Sequence, residues 1–169
     1  GDWLLMLDCD QVADPDVLVR MINSMNLIGC EVLTAVYYFK KPPHVPLVYS
    51  WNEEQDALCN VSKMPPMPFR IDGCGGGCLL VKKSVFERIR RETGEGPFDI
   101  RPPYSEDLSF SVRCRELGIE MWCDPRIESR HFALKQVGAE DHAKSVAKLE
   151  EEGMIGPSVP TATVCSKCA

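Results

Sequence analysis

Asp8-Cys9-Asp10 sets two carboxylates two residues apart at the end of an apolar run. On extended backbone, residues i and i+2 point to one side, so both acids can face one spot while Cys9 points away. Two ionised carboxylates about 4 Å apart repel by roughly 1 kcal/mol in water and about 4 kcal/mol at an effective dielectric of 20. Held together at a buried strand end, they need a counter-charge. A divalent cation supplies it, and oxygen donors suit Mg²⁺ or Mn²⁺. A capping cluster, with Asp10 and Asp14 serving the helix that follows, accounts for the same residues about equally well.

Other residue sets carry weaker signals. Gly73-Cys74-Gly75-Gly76-Gly77 lacks a P-loop lysine and the dinucleotide spacing. It permits close backbone approach to a ligand or amides aimed at an anion, and equally an ordinary bulge. Glu106 and Asp107 open a helix after a Gly/Pro-rich loop; adjacent acids there are common caps, and a cleft-facing carboxylate there can also act as a general base. His131 sits at the end of an extended segment, where a lone histidine is more often structural than a ligand. Of the nine cysteines, several lie in apolar runs as small hydrophobes. Cys74, Cys78, Cys165 and Cys168 offer a weak zinc set, with a single C-x-x-C at the tail.

Strands and helices alternate around these residues. Trp3 to Leu7 reads as a buried strand. Asp14-Pro15-Asp16 opens a helix with Val17, Leu18, Met21, Ile22 and Met25 at helical spacing, and Gly29 closes it. Residues 31–39 and 47–51 read as strands, separated by a proline-rich loop, and 52–68 as an irregular surface segment. Residues 69–72 and 78–81 read as strand pieces flanking the glycine run. Helices capped by Ser84 and Ser105 follow, the second closed by Gly118, then strands over 119–123 and 127–131. The pattern predicts an α/β domain with a mostly parallel mixed sheet flanked by helices, whose ligand site lies at the carboxyl ends of the strands.

The chain has 169 residues with 25 acidic and 19 basic side chains, a net charge of −6. That balance argues against nucleic-acid binding and fits a protein that holds a cation. No apolar stretch approaches a transmembrane span. Reduced thiols and the lack of a signal-like start point to the cytoplasm. With neither an initiator Met nor a polar lead-in, the chain reads as a segment of a longer polypeptide.

In this order, the motifs resemble GT-A-type glycosyltransferases, family 2 in particular. The residues are Leu4 to Asp10 with Asp14-Pro15-Asp16, then Asp72 to Val81 with Val85-Phe86. Ser105 to Leu108 with Arg113 and Gly118 follow, and last Trp122, Pro125 and His131. Residues 38–43 further resemble glycosyltransferase-like proteins of phage and bacterial genomes. The resemblance implies a partial GT-A, Rossmann-like nucleotide-diphospho-sugar transferase fold. Residues 1–135 would be its C-terminal part, without the base-binding half and so inactive alone. Residues 136–169 would add a polar helix and a loose tail.

By the same resemblance, a sugar would move from a nucleotide-sugar donor to a hydroxyl of a glycan, lipid or protein acceptor, with inversion. Asp8, Asp10 and His131 would hold the metal, and the imidazole favours Mn²⁺ over Mg²⁺. Asp8, Gly75, Gly76, Gly77 and Trp122 would line the donor and acceptor sites. Asp107 would be the general base, with Glu106 the second choice. The competing expectations are a non-catalytic carbohydrate- or partner-binding remnant of the same fold and, last, the zinc module.

Overall fold

A computed structural model describes residues 1–132 and 136–153. Its strands are β1 (Trp3–Leu7), β2 (Gln11–Ala13), β3 (Val32–Val36), β4 (Val48–Asn52), β5 (Ala57–Asn60), β6 (Phe69–Ile71), β7 (Gly73–Cys74), β8 (Cys78–Lys82), β9 (Met121–Phe132) and β10 (Gln136–Val137). Its helices are α1 (Val17–Ile28), α2 (Lys83–Thr93), α3 (Glu106–Glu116) and α4 (Ala139–Glu151). The main sheet runs β1-β8-β3-β9-β10, with β2 and β6 also pairing with β9, and β5-β4-β7 forms a small second sheet.

The mixed α/β architecture with flanking helices holds, and the mostly parallel sheet does not. Among the described residues, only β3 and β9 pair in parallel, and every other strand pairing is antiparallel. The continuous apolar runs that suggested parallel strands have a different cause. β3 is buried at all five positions because it lies between β8 and β9 with helices packed on the sheet. Burial on both faces removes the alternation that marks a half-exposed antiparallel strand, whatever the direction of its neighbours.

Two apolar clusters flank the sheet. Phe69, Leu79, Val81, Val85, Ile89, Phe110 and Met121 form the larger, under α2 and α3. Met21, Met25, Leu33, Leu80 and Ile127 form the other, under α1. Gly29 ends α1 in the left-handed region at φ 85°, where a Cβ is strained, as its place after the last periodic residue predicts. Asp14-Pro15-Asp16 forms a turn rather than the helix start, and α1 begins at Val17 with Asp16 as N-cap.

Other boundaries moved for identifiable reasons. β9 continues through Asp124-Pro125 because the register against β3 jumps there, Ala35 opposing Asp124 and Val36 opposing Glu128. The proline sits in that bulge, where no ladder donor is required of it. The irregular segment expected over 52–68 contains β5, which makes a hairpin with β4. α4 forms where a solvent-exposed helix was expected, yet it buries Asp141 and His142. The tail with Cys165 and Cys168 lies outside the described residues.

Candidate functional site

The register places several chemistry-bearing residues at one end of the main sheet. β1 runs antiparallel to β8 with Leu7 opposite Cys78, and β3 runs antiparallel to β8 with Thr34 opposite Leu79. β9 is parallel to β3. The carboxyl ends of β1, β3 and β9 and the amino end of β8 therefore share one edge. Asp8 leaves β1 there, Tyr37 and Tyr38 follow β3, His131 lies near the end of β9, and the glycine run precedes β8.

Asp8-Cys9-Asp10 is a reverse turn, closed by the Gln11 amide donating to the Asp8 carbonyl at 3.0 Å. The extended backbone expected to aim both carboxylates one way is not there. The turn hands the chain to β2, which pairs with β9 so that Gln11 opposes His131. It also brings the Phe132 amide onto the Asp10 carbonyl at 2.7 Å. Asp10 is thereby fixed beside His131 by backbone bonds on both sides of the turn. Asp8 is tied elsewhere, its amide donating to the Gly77 carbonyl at 3.0 Å.

The His131 imidazole has a defined tautomer. Its Nδ1 lies 2.5 Å from the Tyr38 carbonyl oxygen. A carbonyl only accepts, so Nδ1 carries the proton, and in the neutral ring the Nε2 lone pair is left. That Nε2 faces Asp10 Oδ1 at 4.0 Å. The gap is too long for a hydrogen bond. It matches two donors of one ion, because ligand distances of about 2.0–2.2 Å put neighbouring or opposite ligands roughly 3–4 Å apart. Lys40 pairs with the other carboxylate oxygen, Oδ2, and both partners are over a third exposed. The hydrogen bond from Lys40 is the largest influence holding the Asp10 carboxyl below its ordinary range.

Tyr37 links this pair to the glycine run. Its ring meets His131 edge-on, centroids 5.2 Å apart, and its Oη accepts the Gly77 amide at 2.8 Å. Burial drives the phenol well above its usual range, so Tyr37 stays neutral. Asp107, in the first turn of α3, accepts the Gly76 amide on Oδ2 at 3.0 Å. The glycines are required by proximity. A Cβ on Gly75 would lie 2.1 Å from Tyr37 Oη, and one on Gly77 would lie 2.8 Å from the same ring and 2.9 Å from Gln11 Nε2. Arg113, fully buried, anchors α3 by donating to Glu95 Oε2 from Nε and Nη2 at 2.8 and 2.5 Å.

The residues expected from the sequence divide accordingly. Asp10 and His131 stand together, and Asp107 with Gly75, Gly76 and Gly77 forms a second group around Tyr37, with Asp8 bonded to its rim. Glu106 is exposed, one position before Asp107 on α3. Adjacent helical residues do not share a face, so it does not join that group. Trp122, half-buried near the start of β9, packs against the cluster under α1. Among the described residues, no three His, Cys, Asp or Glu side chains are grouped to hold a metal ion. Of the zinc set, Cys74 and Cys78 are buried thiols that burial pushes up to about 12 and about 11, and Cys165 and Cys168 lie outside the described residues. Tyr38 and Lys40 fall within residues 38–43, whose resemblance assigned them no role, and Tyr37 lies outside every motif; the placement of Tyr37 and Tyr38 appears only when β3 is set beside β9.

No protein-family profile and no curated protein matches this chain. Among solved structures, the "Crystal Structure of A197 from STIV" aligns at 20% identity and a TM-score of 0.49, covering 78% of this chain. This chain spans 58% of that one. The likeness is too distant to assign a family. Membership in the GT-A glycosyltransferases, family 2-like and of phage or bacterial type, is therefore corrected. No family match supports it, and the expected three-ligand metal set is a pair, Asp10 and His131.

Proposed function

We propose that this sheet edge binds a nucleotide-sugar together with a divalent cation, Mn²⁺ or Mg²⁺, and transfers the sugar to an acceptor hydroxyl. The observation that carries the reading is the oriented His131 Nε2 facing Asp10 across 4.0 Å. Two protein ligands suit a cation that completes its shell with water and substrate phosphates, which is how Mg²⁺ is commonly held. The donor set of one carboxylate and one neutral imidazole fits Mn²⁺ as well. When bound, the ion would neutralise charge gathering on the diphosphate as it leaves.

The chain's own residues do the remainder. The buried glycines let Tyr37 and Asp107 lie directly against the backbone, which holds the Asp107 carboxylate at the site. Asp107, with Oδ2 occupied by the Gly76 amide, presents Oδ1 as the base. The acceptor oxygen forms its bond to the anomeric carbon as the bond from that carbon to the phosphate oxygen breaks. The electron pair leaves with the nucleoside diphosphate, and the acceptor proton passes to Asp107. The site would be cytoplasmic, where nucleotide-sugars and reduced thiols coexist.

A panel of nucleotide-sugars with Mn²⁺, assayed for nucleoside diphosphate release, tests the reading. Release should vanish with chelator and fall on the order of 100-fold or more in Asp107→Asn, within the usual range for loss of a general base. Full activity in that variant overturns the role of Asp107. One observation favours a second reading, a non-catalytic carbohydrate- or partner-binding domain: Lys40 already satisfies Asp10. On that reading glycans raise the melting temperature with no metal requirement.

No helix among the described residues is long and apolar enough to cross a membrane, and the proposal needs no membrane-spanning segment.

A further inference from the structure

Lys40 carries no role assigned from the sequence, yet its ammonium sits on the carboxylate oxygen of Asp10 next to the one that faces His131. It is carried on an exposed loop between Tyr38 and Pro46, which bridge to each other. The base of that loop is fixed by the Phe39 amide on the Val45 carbonyl at 2.9 Å and by the His44 ring on the Phe39 carbonyl at 2.8 Å. The flexible four-carbon stem of Lys40 therefore moves over a pinned backbone. The Lys40 side chain is 41% exposed and that of Asp10 38%, so their separation leaves neither charge buried.

We propose that Lys40 is a diphosphate-binding residue that neutralises Asp10 until cation and diphosphate arrive, then transfers its contact from the carboxylate to the phosphate oxygens. The inference rests on the metal–diphosphate reading of the site. Its physical basis is competition: an ammonium and a divalent cation on one carboxylate repel each other at contact distance. The incoming ion displaces Lys40, and the diphosphate that arrives with the ion is the nearest anion able to take the ammonium. Cation and diphosphate then bind with positive coupling, each removing an obstacle to the other. A bare ion binds weakly because it must displace Lys40 without providing a new partner.

Inorganic pyrophosphate is the probe, because it carries the diphosphate without a base or sugar. Mn²⁺ affinity is measured on the 169-residue chain with and without pyrophosphate, for the native protein, Lys40→Met, Lys40→Arg and Lys41→Met. Lys40→Met should bind Mn²⁺ alone about fivefold more tightly, the scale of losing one exposed ion pair. It should also lose most of the enhancement that pyrophosphate gives the native chain. Lys40→Arg should restore the coupling, since guanidinium also binds phosphate. Lys41→Met, one residue along the same loop, should leave both affinities within twofold.

If Lys40→Met and the native chain bind Mn²⁺ equally, with the same pyrophosphate enhancement, the role of Lys40 is overturned while the metal site stands. If neither chain binds Mn²⁺ with or without pyrophosphate, the metal reading falls, and this inference with it. Equal changes in Lys40→Met and Lys41→Met would assign the effect to general loop charge and overturn the specific handover. Melting curves for each variant establish that it folds.

Discussion

Asp124 and Asp10 are both acids beside the sheet with a basic partner, and they are built to opposite ends. Asp124 lies on β9 with its side chain 2% exposed. Ser24 Oγ donates to Oδ2 at 2.7 Å, Arg126 Nε and Nη2 donate at 2.9 and 2.8 Å, and the Arg126 amide donates to Oδ1 at 3.1 Å. Burial pushes this carboxyl upward, and the hydrogen bonds from Arg126 and Ser24 overcome that and hold it below its ordinary range. Asp10 is 38% exposed, has one lysine on one oxygen, and faces the His131 Nε2 at 4.0 Å, too far off to bond. A carboxylate whose acceptor positions are filled from within is a structural element. One with a face directed at another donor, across a gap of ligand size, is available to something the chain does not contain.

Removing Asp124 should therefore be costly. Asp124→Ala leaves the buried Ser24 hydroxyl unpaired and the Arg126 guanidinium without its anion, and also unties α1 from β9. Losses of this kind run to a few kcal/mol, and we expect about 3 kcal/mol, or a melting temperature lower by roughly 6–12 °C. Scanning calorimetry would read it. A shift no larger than that of an exposed substitution would break the contrast at its stronger end.

The glycine run tests whether close packing, rather than charge, holds the open side in shape. Gly75→Ala puts a methyl group 2.1 Å from Tyr37 Oη, so backbone must move, at roughly 2 kcal/mol. Tyr37→Phe alone should cost about 1 kcal/mol, since the buried Gly77 amide loses its acceptor. The two changes together should cost less than their sum: without Oη, the nearest ring atom to the new methyl is Cζ, at 3.2 Å. Additive losses in denaturant titrations would show that the tyrosine hydroxyl is not what demands glycine there.

A third prediction concerns the side of the site away from Asp107. Tyr38, whose carbonyl orients His131, stacks its ring on His142 of α4 with centroids 5.1 Å apart. Burial holds the His142 pKa below its ordinary 6.5, partly offset by hydrogen bonding with backbone near Ser62, His44 and Pro43. A lowered folded pKa means the unfolded chain binds the proton more readily. Stability is then full above about 6.5 and declines as pH falls from there toward the folded value. Denaturant titrations at about pH 7.5 and about pH 5.5 should show this decline, and His142→Phe should flatten part of it. An unchanged slope in the variant would assign the acid sensitivity to other groups.

How much of this was legible in the sequence follows from what each feature depends on. Gly29 as a helix stop and Ser105 before α3 are local, and both stood in the periodicity. Asp10 stands 4.0 Å from His131 while Asp107 bonds the glycine run in a second group, and the turn at Asp8-Cys9-Asp10 replaces the extended backbone inferred there. Strand direction was not legible, because β3 buried on both faces looks the same in either orientation. The roles of Lys40 and Tyr38 were not legible for a related reason. Their partners lie 30 and 93 positions away, and neither pairing leaves a local pattern. The packing of Trp122 against the cluster under α1 was not legible either, since an aromatic on a strand reads alike whether it faces a ligand or a helix.

The smallest expected stability effect is the most informative for the comparison. Asp10→Ala removes a half-exposed carboxylate that is paired with an exposed lysine and lies 4.0 Å from His131. Stability should change by no more than about 0.5 kcal/mol, the scale of surface substitutions. Mn²⁺ affinity in the presence of pyrophosphate should nevertheless fall by on the order of 100-fold, because one of two protein ligands is gone. Asp124→Ala should do the reverse, lowering stability and sparing metal affinity in the fraction that remains folded. If instead Asp10→Ala destabilised the fold as much as Asp124→Ala did, the Asp10–Lys40 pair would be a structural clasp. The gap between Asp10 and His131 would then need no ion to explain it.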